Sequence, residues 1–127
     1  MENQAERSTT IRYKDHEHFI DPDEVLAARE KLVDAPIATR LADTFRALAD
    51  PTRLRLISAL MEHRLCVYDL AALVGLSQSA VSHQLRILRD LRLVRPHKTG
   101  RTVYYTLDDD HIRELFQRGL EHVQHGG

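Results

Sequence analysis

The sequence predicts a mainly α chain with one β-hairpin near its C-terminal end, and three observations carry that prediction. Apolar residues recur at helical spacing through most of residues 22–91. Two short β-rich runs, Leu93-Val94-Arg95-Pro96 and Thr102-Val103-Tyr104-Tyr105-Thr106-Leu107, then flank the turn sequence Lys98-Thr99-Gly100-Arg101. A last amphipathic stretch follows from about Asp108 to just before Gly126.

The elements follow in order. Pro22 suits the first turn of a helix with Asp21 as its cap, and Val25, Leu26, Leu32 and Val33 give that helix an apolar stripe. Pro36 interrupts it, and Ile37, Leu41, Phe45 and Leu48 mark a second helix. Asp50-Pro51 opens a third, with Leu54, Ile57, Ser58 and Met61 on one face. Leu65 to Val74 reads as a short helix stopped by Gly75-Leu76-Ser77. A longer helix from Gln78 to Leu91 turns Val81, Leu85, Leu88 and Leu91 inward. The expected division is a flexible arm over residues 1–20 and one folded domain over 21–125.

Composition bounds the function. The chain has 127 residues, 43% hydrophobic and 29% charged, which is ordinary for a single globular domain and short for an enzyme with a lid. No apolar run approaches the roughly 20 residues of a membrane span, and MENQAERSTTIRYKDHEH lacks an apolar signal core, so a cytoplasmic location is expected. One cysteine, Cys66, excludes an intrachain disulfide framework. The net charge of -1 hides an uneven distribution. Arg86, Arg89, Arg92, Arg95, Lys98 and Arg101 form a block broken by one acid, Asp90, and Asp108-Asp109-Asp110 follows. Such adjacency suits one surface for phosphates and another for cations.

The pair of short helices around Gly75 has the offsets of a helix-turn-helix. Ala71 is small where the helices cross, Gly75 tolerates a left-handed turn, and Val81 locks the second helix. The basic hairpin that follows is placed as a wing. Ser77 is placed to cap the second helix, whose exposed positions are Gln78, Ser79, Ser82, His83, Gln84 and Arg86. Gln78, Ser79, Ser82 and His83 are expected at the major groove, and Arg86, Lys98 and Arg101 on phosphates.

Several segments together closely resemble the ArsR/SmtB family of metal-sensing repressors: Leu41-Ala42-Asp43, Ala47-Leu48-Ala49-Asp50-Pro51-Thr52-Arg53-Leu54-Arg55-Leu56, Leu65-Cys66-Val67-Tyr68-Asp69-Leu70, Ser79-Ala80-Val81-Ser82-His83-Gln84-Leu85 and Gly100-Arg101-Thr102-Val103-Tyr104-Tyr105. The resemblance spans about residues 40–125. It implies a homodimeric winged helix-turn-helix with N- and C-terminal helices at the interface. It also implies a double-stranded inverted-repeat operator as partner, and release of that operator by metal. Neither a membrane nor a small organic substrate is expected.

On the last helix, Asp109 and His111 precede His122 and His125. Eleven residues bring His122 back to nearly the face of His111, but about 16 Å further along the axis. With zinc–ligand bonds of about 2.0–2.2 Å, one helix cannot close the site. Two antiparallel copies can, making two sites per dimer, and Gly119 would let the helices approach. The resemblance to SmtB-type zinc sensors implies the set Asp109, His111, His122 and His125, which suits Zn(II) and also Co(II). It also implies a hydrogen bond from the second ring nitrogen of a ligand histidine, here His122, toward the recognition helix.

Cys66 and Asp69, at i and i+3, form a second candidate site with His16 and His18 of the arm, suited to Zn(II) or Cd(II). Cadmium or arsenite sensing through Cys66 is thus an alternative, although Tyr68 stands where the arsenic branch carries another cysteine. A redox-responsive regulator acting through Cys66 is a second alternative. A winged-helix module without DNA is a third. An enzyme is disfavoured, because four protein ligands leave no open position for water and Ser82 and His83, adjacent on a helix, do not face each other.

Overall fold

The computed structural model describes residues 19–126. The expected arm, including His16 and His18, lies almost wholly outside the described residues. Contacts divide the chain into two compact units at Ala42–Asp43.

In the first unit, α1 spans Pro22–Arg29, and the Asp21 carboxylate caps it by accepting from the Glu24 N–H at 3.2 Å. The helix stops before Leu32 and Val33, so these two do not extend its apolar stripe; both are exposed. The second helix, α2, spans Ala35–Leu48. Its first turn contains Pro36, which needs no N–H partner there, and Asp34 accepts from the Ile37 N–H at 3.0 Å. The divide falls within α2, and no described residue before Asp43 is buried.

The second unit holds the core. After α2 ends, Asp50 caps α3 (Pro51–Ala59), with Pro51 at its first position as expected. The buried face of α3 differs from expectation. It consists of Leu56 and Ile57, with Leu60 just beyond, while Leu54 and Ser58 remain exposed on the opposite flank. Leu65–Cys66 is not the first turn of a helix but a two-residue strand, β1, and α4 begins only at Val67 (Val67–Val74). The reason is tertiary: Leu65 pairs with Tyr105 and Cys66 with Tyr104, so the hairpin supplies partners that local periodicity cannot show. Arg64 then lies over the Tyr104 ring, 4.4 Å from its centre.

Gly75 ends α4 in a left-handed conformation with φ 74°, its N–H bonded to the Ala71 carbonyl at 2.9 Å. The longer helix α5 spans Gln78–Asp90, with Leu91 as C-cap. Val81, Leu85 and Leu88 are fully buried against Leu56, Ile57, Leu60 and Leu70. At the end of α5, Arg92 takes φ 59° and the Leu93 N–H reaches back to the Leu88 carbonyl at 2.9 Å. This is a Schellman-type stop made without glycine.

The wing is β2 (Val94–Thr99) antiparallel to β3 (Thr102–Leu107), in a three-stranded sheet of order β1-β3-β2. The turn is only Gly100-Arg101. Lys98 and Thr99, expected in it, belong to the strand and pair with Val103 and Thr102. Gly100 has φ 64° and Arg101 does not, as a two-residue hairpin turn with glycine first requires. The last helix, α6, spans Asp110–Gly126, starting two residues later than expected and including Gly126. No described helix is long and apolar enough to cross a membrane.

Candidate functional site

Helix α4, the Gly75 turn and helix α5 form a helix-turn-helix, and β2–β3 follows as its wing. On α5 the core side is fixed by Val81, Leu85 and Leu88, so at about 100° per residue the opposite side is Ser79, Ser82, His83 and Arg86. These four, together with Gln78, are exposed. The Ser77 hydroxyl is engaged as the helix cap, accepting from the Ala80 N–H at 3.1 Å, which sets where the reading helix begins. Lys98 and Arg101 are exposed at the wing tip. Arg95 lies nearer the wing base, with its guanidinium 4.0 Å from Asp108. His97 and Thr106 hydrogen-bond across the wing at 2.9 Å.

Gln84 is placed differently from the other candidates on α5. It is half-buried, and its side-chain oxygen accepts from Arg53 Nε at 2.7 Å. Sequence reasoning gave Arg53 no role. Nothing local signals this bond, because its ends are 31 residues apart on different helices.

The metal candidates divide as the spacing requires. Asp109 sits immediately before α6 and caps it: Oδ1 accepts from the N–H groups of His111 at 2.9 Å and Ile112 at 3.2 Å. Hydrogen bonding from the Ile112 N–H is the main cause holding its carboxyl below the ordinary aspartate value, with the His111 N–H and ring adding to it. The second oxygen, Oδ2, faces His111 Nδ1 at 3.6 Å. The cap therefore orients Asp109 while leaving Oδ2 available as a donor. Asp110, in the first turn, lies 3.7 Å from Arg113, and Asp108 faces Arg95.

His111, His122 and His125 are exposed, within about 60° of one another on the flank of α6. Among the described residues no group of three or more His, Cys, Asp and Glu gathers within this one chain. A carboxylate and an imidazole at one end, and two imidazoles about 16 Å away, fit an N/O-binding metal only as two half-sites.

Beside these donors runs an apolar stripe. Ile112, Leu115, Phe116, Leu120 and Val123 on α6, with Phe45, Leu54 and Ile57 opposite, line a groove of about 570 Å³. No residue of α6 is buried, and Val123 is 69% exposed. Gly119 also lines this groove, and a side chain there would meet nothing in this chain.

At the other candidate site, Cys66 Sγ donates to Asp69 Oδ2 at 3.4 Å, at the start of α4. The structure brings these two together; His16 and His18 lie outside the described residues.

Residues 50–95 match the family described as bacterial regulatory protein, arsR family. The chain is 48% identical over 102 residues to a transcriptional repressor SmtB homolog of Synechocystis, covering 80% of this chain and 77% of that one. It is 35% identical over 105 residues to a cadmium resistance transcriptional regulatory protein CadC homolog of Staphylococcus aureus, covering 82% and 86%. Among solved structures it is similar to a homodimeric winged helix-turn-helix DNA-binding domain from Mycobacterium bovis. That protein is a possible ArsR-family regulator, with a TM-score of 0.65, 24% identity, and coverage of 71% of this chain and 87% of that one.

Proposed function

Because this chain belongs to the ArsR family of bacterial regulatory proteins, we propose that it binds inverted-repeat operator DNA as a cytoplasmic homodimer and releases it on taking up Zn(II) or a similar divalent ion. It is a winged helix-turn-helix transcriptional regulator, not an enzyme.

The observation that carries the DNA reading is the exposed side of α5 next to a basic wing. Gln78, Ser79, Ser82 and His83 have side chains that can reach base edges, and Arg86, Lys98 and Arg101 can hold phosphates. A dimer sets two such helices at a fixed separation, so its operator must share its symmetry. The Mycobacterium bovis domain is homodimeric, and the exposed apolar stripe of α6 gives this chain a surface to bury in the same way.

For the metal reading, Asp109 and His111 of one copy, with His122 and His125 of a second, complete a set of one carboxylate and three imidazoles. An ion held there cross-links the two copies of α6. Zn(II) suits this set best, Co(II) is compatible, and Cd(II) less so. The switch follows from linkage: if metal weakens DNA binding, DNA must weaken metal binding by the same factor. The test is an operator titration with and without saturating zinc, in which affinity should fall about tenfold or more, as typical coupling energies imply. Equal affinities would overturn the reading.

A second reading keeps the DNA surface and places the effector at Cys66 and Asp69. The 3.4 Å contact between them favours it, as does the likeness to a cadmium resistance regulator. Cys66→Ser separates the two, since it should abolish a cadmium response of this kind and leave a zinc response at α6 intact.

A further inference from the structure

Arg53 binds two elements at once. Its Nε donates to Gln84 on α5 at 2.7 Å, and its Nη1 donates to the Ala47 carbonyl in the last turn of α2 at 3.2 Å. Its own backbone N–H is held by Asp50 at 3.0 Å, so the side chain projects from a fixed helix start.

The chemistry of this contact fixes the orientation of the Gln84 amide. A guanidinium has five donors and no acceptor. Gln84 must therefore turn its oxygen toward Arg53 and its NH2 group away. Among the described residues no buried side-chain nitrogen or oxygen lacks a hydrogen-bond partner. The Gln84 Nε2 has no such partner, so it reaches solvent.

The position of Gln84 on α5 decides what this donor can meet. It lies about 100° around the helix from His83 and further from Ser82. When Ser82 and His83 face the floor of a major groove, a side chain on this flank faces the groove wall, which is the phosphate backbone. Glutamine is a common neutral donor to phosphate oxygens.

We propose that Arg53 is a positioning residue that holds Gln84 with its NH2 group outward as a donor to a DNA phosphate, and that the same guanidinium ties the end of α2 to the reading helix. This rests on the DNA-binding reading above, and moves Gln84 from the base-reading set to the backbone-holding set. A glutamine free to turn would offer its oxygen to phosphate half the time. Arg53 removes that alternative.

The deciding variant is Gln84→Glu. A carboxylate still accepts from Arg53, so the fold is kept, but its outward atom is now a negatively charged acceptor facing phosphate. Affinity for the operator and for an unrelated duplex should both fall at least about tenfold, the scale of a lost hydrogen bond to a charged group, with no fall in thermal midpoint. A double-mutant cycle with Arg53→Met and Gln84→Met tests whether Arg53 acts through Gln84. Removing Arg53 should cost DNA affinity in the wild-type background and little more once Gln84 is already Met. Arg53→Lys, which keeps a donor, should recover part of the loss. Additive losses in the cycle, or Gln84→Glu binding DNA within twofold of wild type, overturn the proposal. So does a loss confined to the operator, which would make Gln84 a base reader. If the wild-type dimer binds no DNA at all, the proposed function falls with it.

Discussion

The reading head and the last helix obey the same rules of amphipathic design but reach opposite degrees of completion within one chain. From α3 to β3 every apolar stripe finds an inner partner: Leu56, Ile57, Leu70, Val81, Leu85 and Leu88 are all fully buried. Each helix start in this region lies beside a buried partner, and Asp50 and Ser77 supply side-chain caps. Helix α6 has an equally regular stripe at i, i+3 and i+4 spacing, yet none of its residues is buried. Its metal donors are divided in the same way, half at each end. Both the missing burial and the missing ligands are supplied by a second copy laid antiparallel.

The largest expected effect tests that contrast directly. Leu85→Ala removes a fully buried side chain from the reading head and should cost about 2–5 kcal/mol in chemical denaturation. This would be a large part of the stability of a small domain. Leu120→Ala, on the 36%-exposed stripe of α6, should cost far less under dilute conditions and instead weaken self-association by roughly tenfold or more, from the apolar burial lost between copies. Sedimentation equilibrium read beside the unfolding curves separates the two. Equal losses at high dilution would mean that α6 is completed within its own chain.

Next come the ligands. His122→Ala should leave operator affinity without metal unchanged and remove the zinc response. Asp109→Asn is more discriminating, because asparagine caps a helix about as well as aspartate but brings no anionic oxygen to a metal. It should keep the helix content measured by circular dichroism and weaken zinc affinity by roughly 10–100-fold, no less than the loss of an outer-sphere partner costs. Asp109→Ala should lose both. The Asp109 carboxyl is held below its ordinary value of 3.8. Its capping contribution is therefore complete above that value and fades as pH falls through the folded one, a dependence that the asparagine variant should lack.

Much of the reading head was legible in the sequence because its determinants are local. Pro51 and Asp50, Gly75, Ser77 and the alternation of β3 each act within a few residues. What was not legible depended on distance. Leu65–Cys66 became a strand because Tyr104 and Tyr105 came alongside, and Gln84 turned inward because Arg53 did. Asp109 was readable as a donor from its spacing to His111, but the cap was assigned by sequence to its neighbours Asp108 and Asp110. Three consecutive aspartates have equal local propensity, and only the register of the helix chooses among them. The left-handed Arg92 carried no signal, since the residue types that usually mark such a stop are absent.

A smaller effect is expected at Gly75. A side chain there would meet no atom within 4 Å, so the cost of Gly75→Ala is that of φ 74° alone, about 1–2 kcal/mol. Steric crowding would raise the figure well above this range, and it would then belong with the core substitutions.

The smallest effect belongs to the wing. Lys98 is exposed in β2, pairing with Val103 through backbone alone, so Lys98→Ala should leave the unfolding midpoint within about 0.5 kcal/mol of wild type. If Lys98 holds one phosphate, the slope of log affinity against log salt should become shallower by about 0.9, equally on operator and unrelated DNA. Ser82→Ala should behave in the opposite manner, losing discrimination between the two duplexes while keeping the slope. The pair divides the reading head as α5 and the wing divide it structurally, one surface for sequence and one for charge. A Lys98→Ala variant that loses discrimination but keeps its salt slope would put the wing tip among the base readers and dissolve that division.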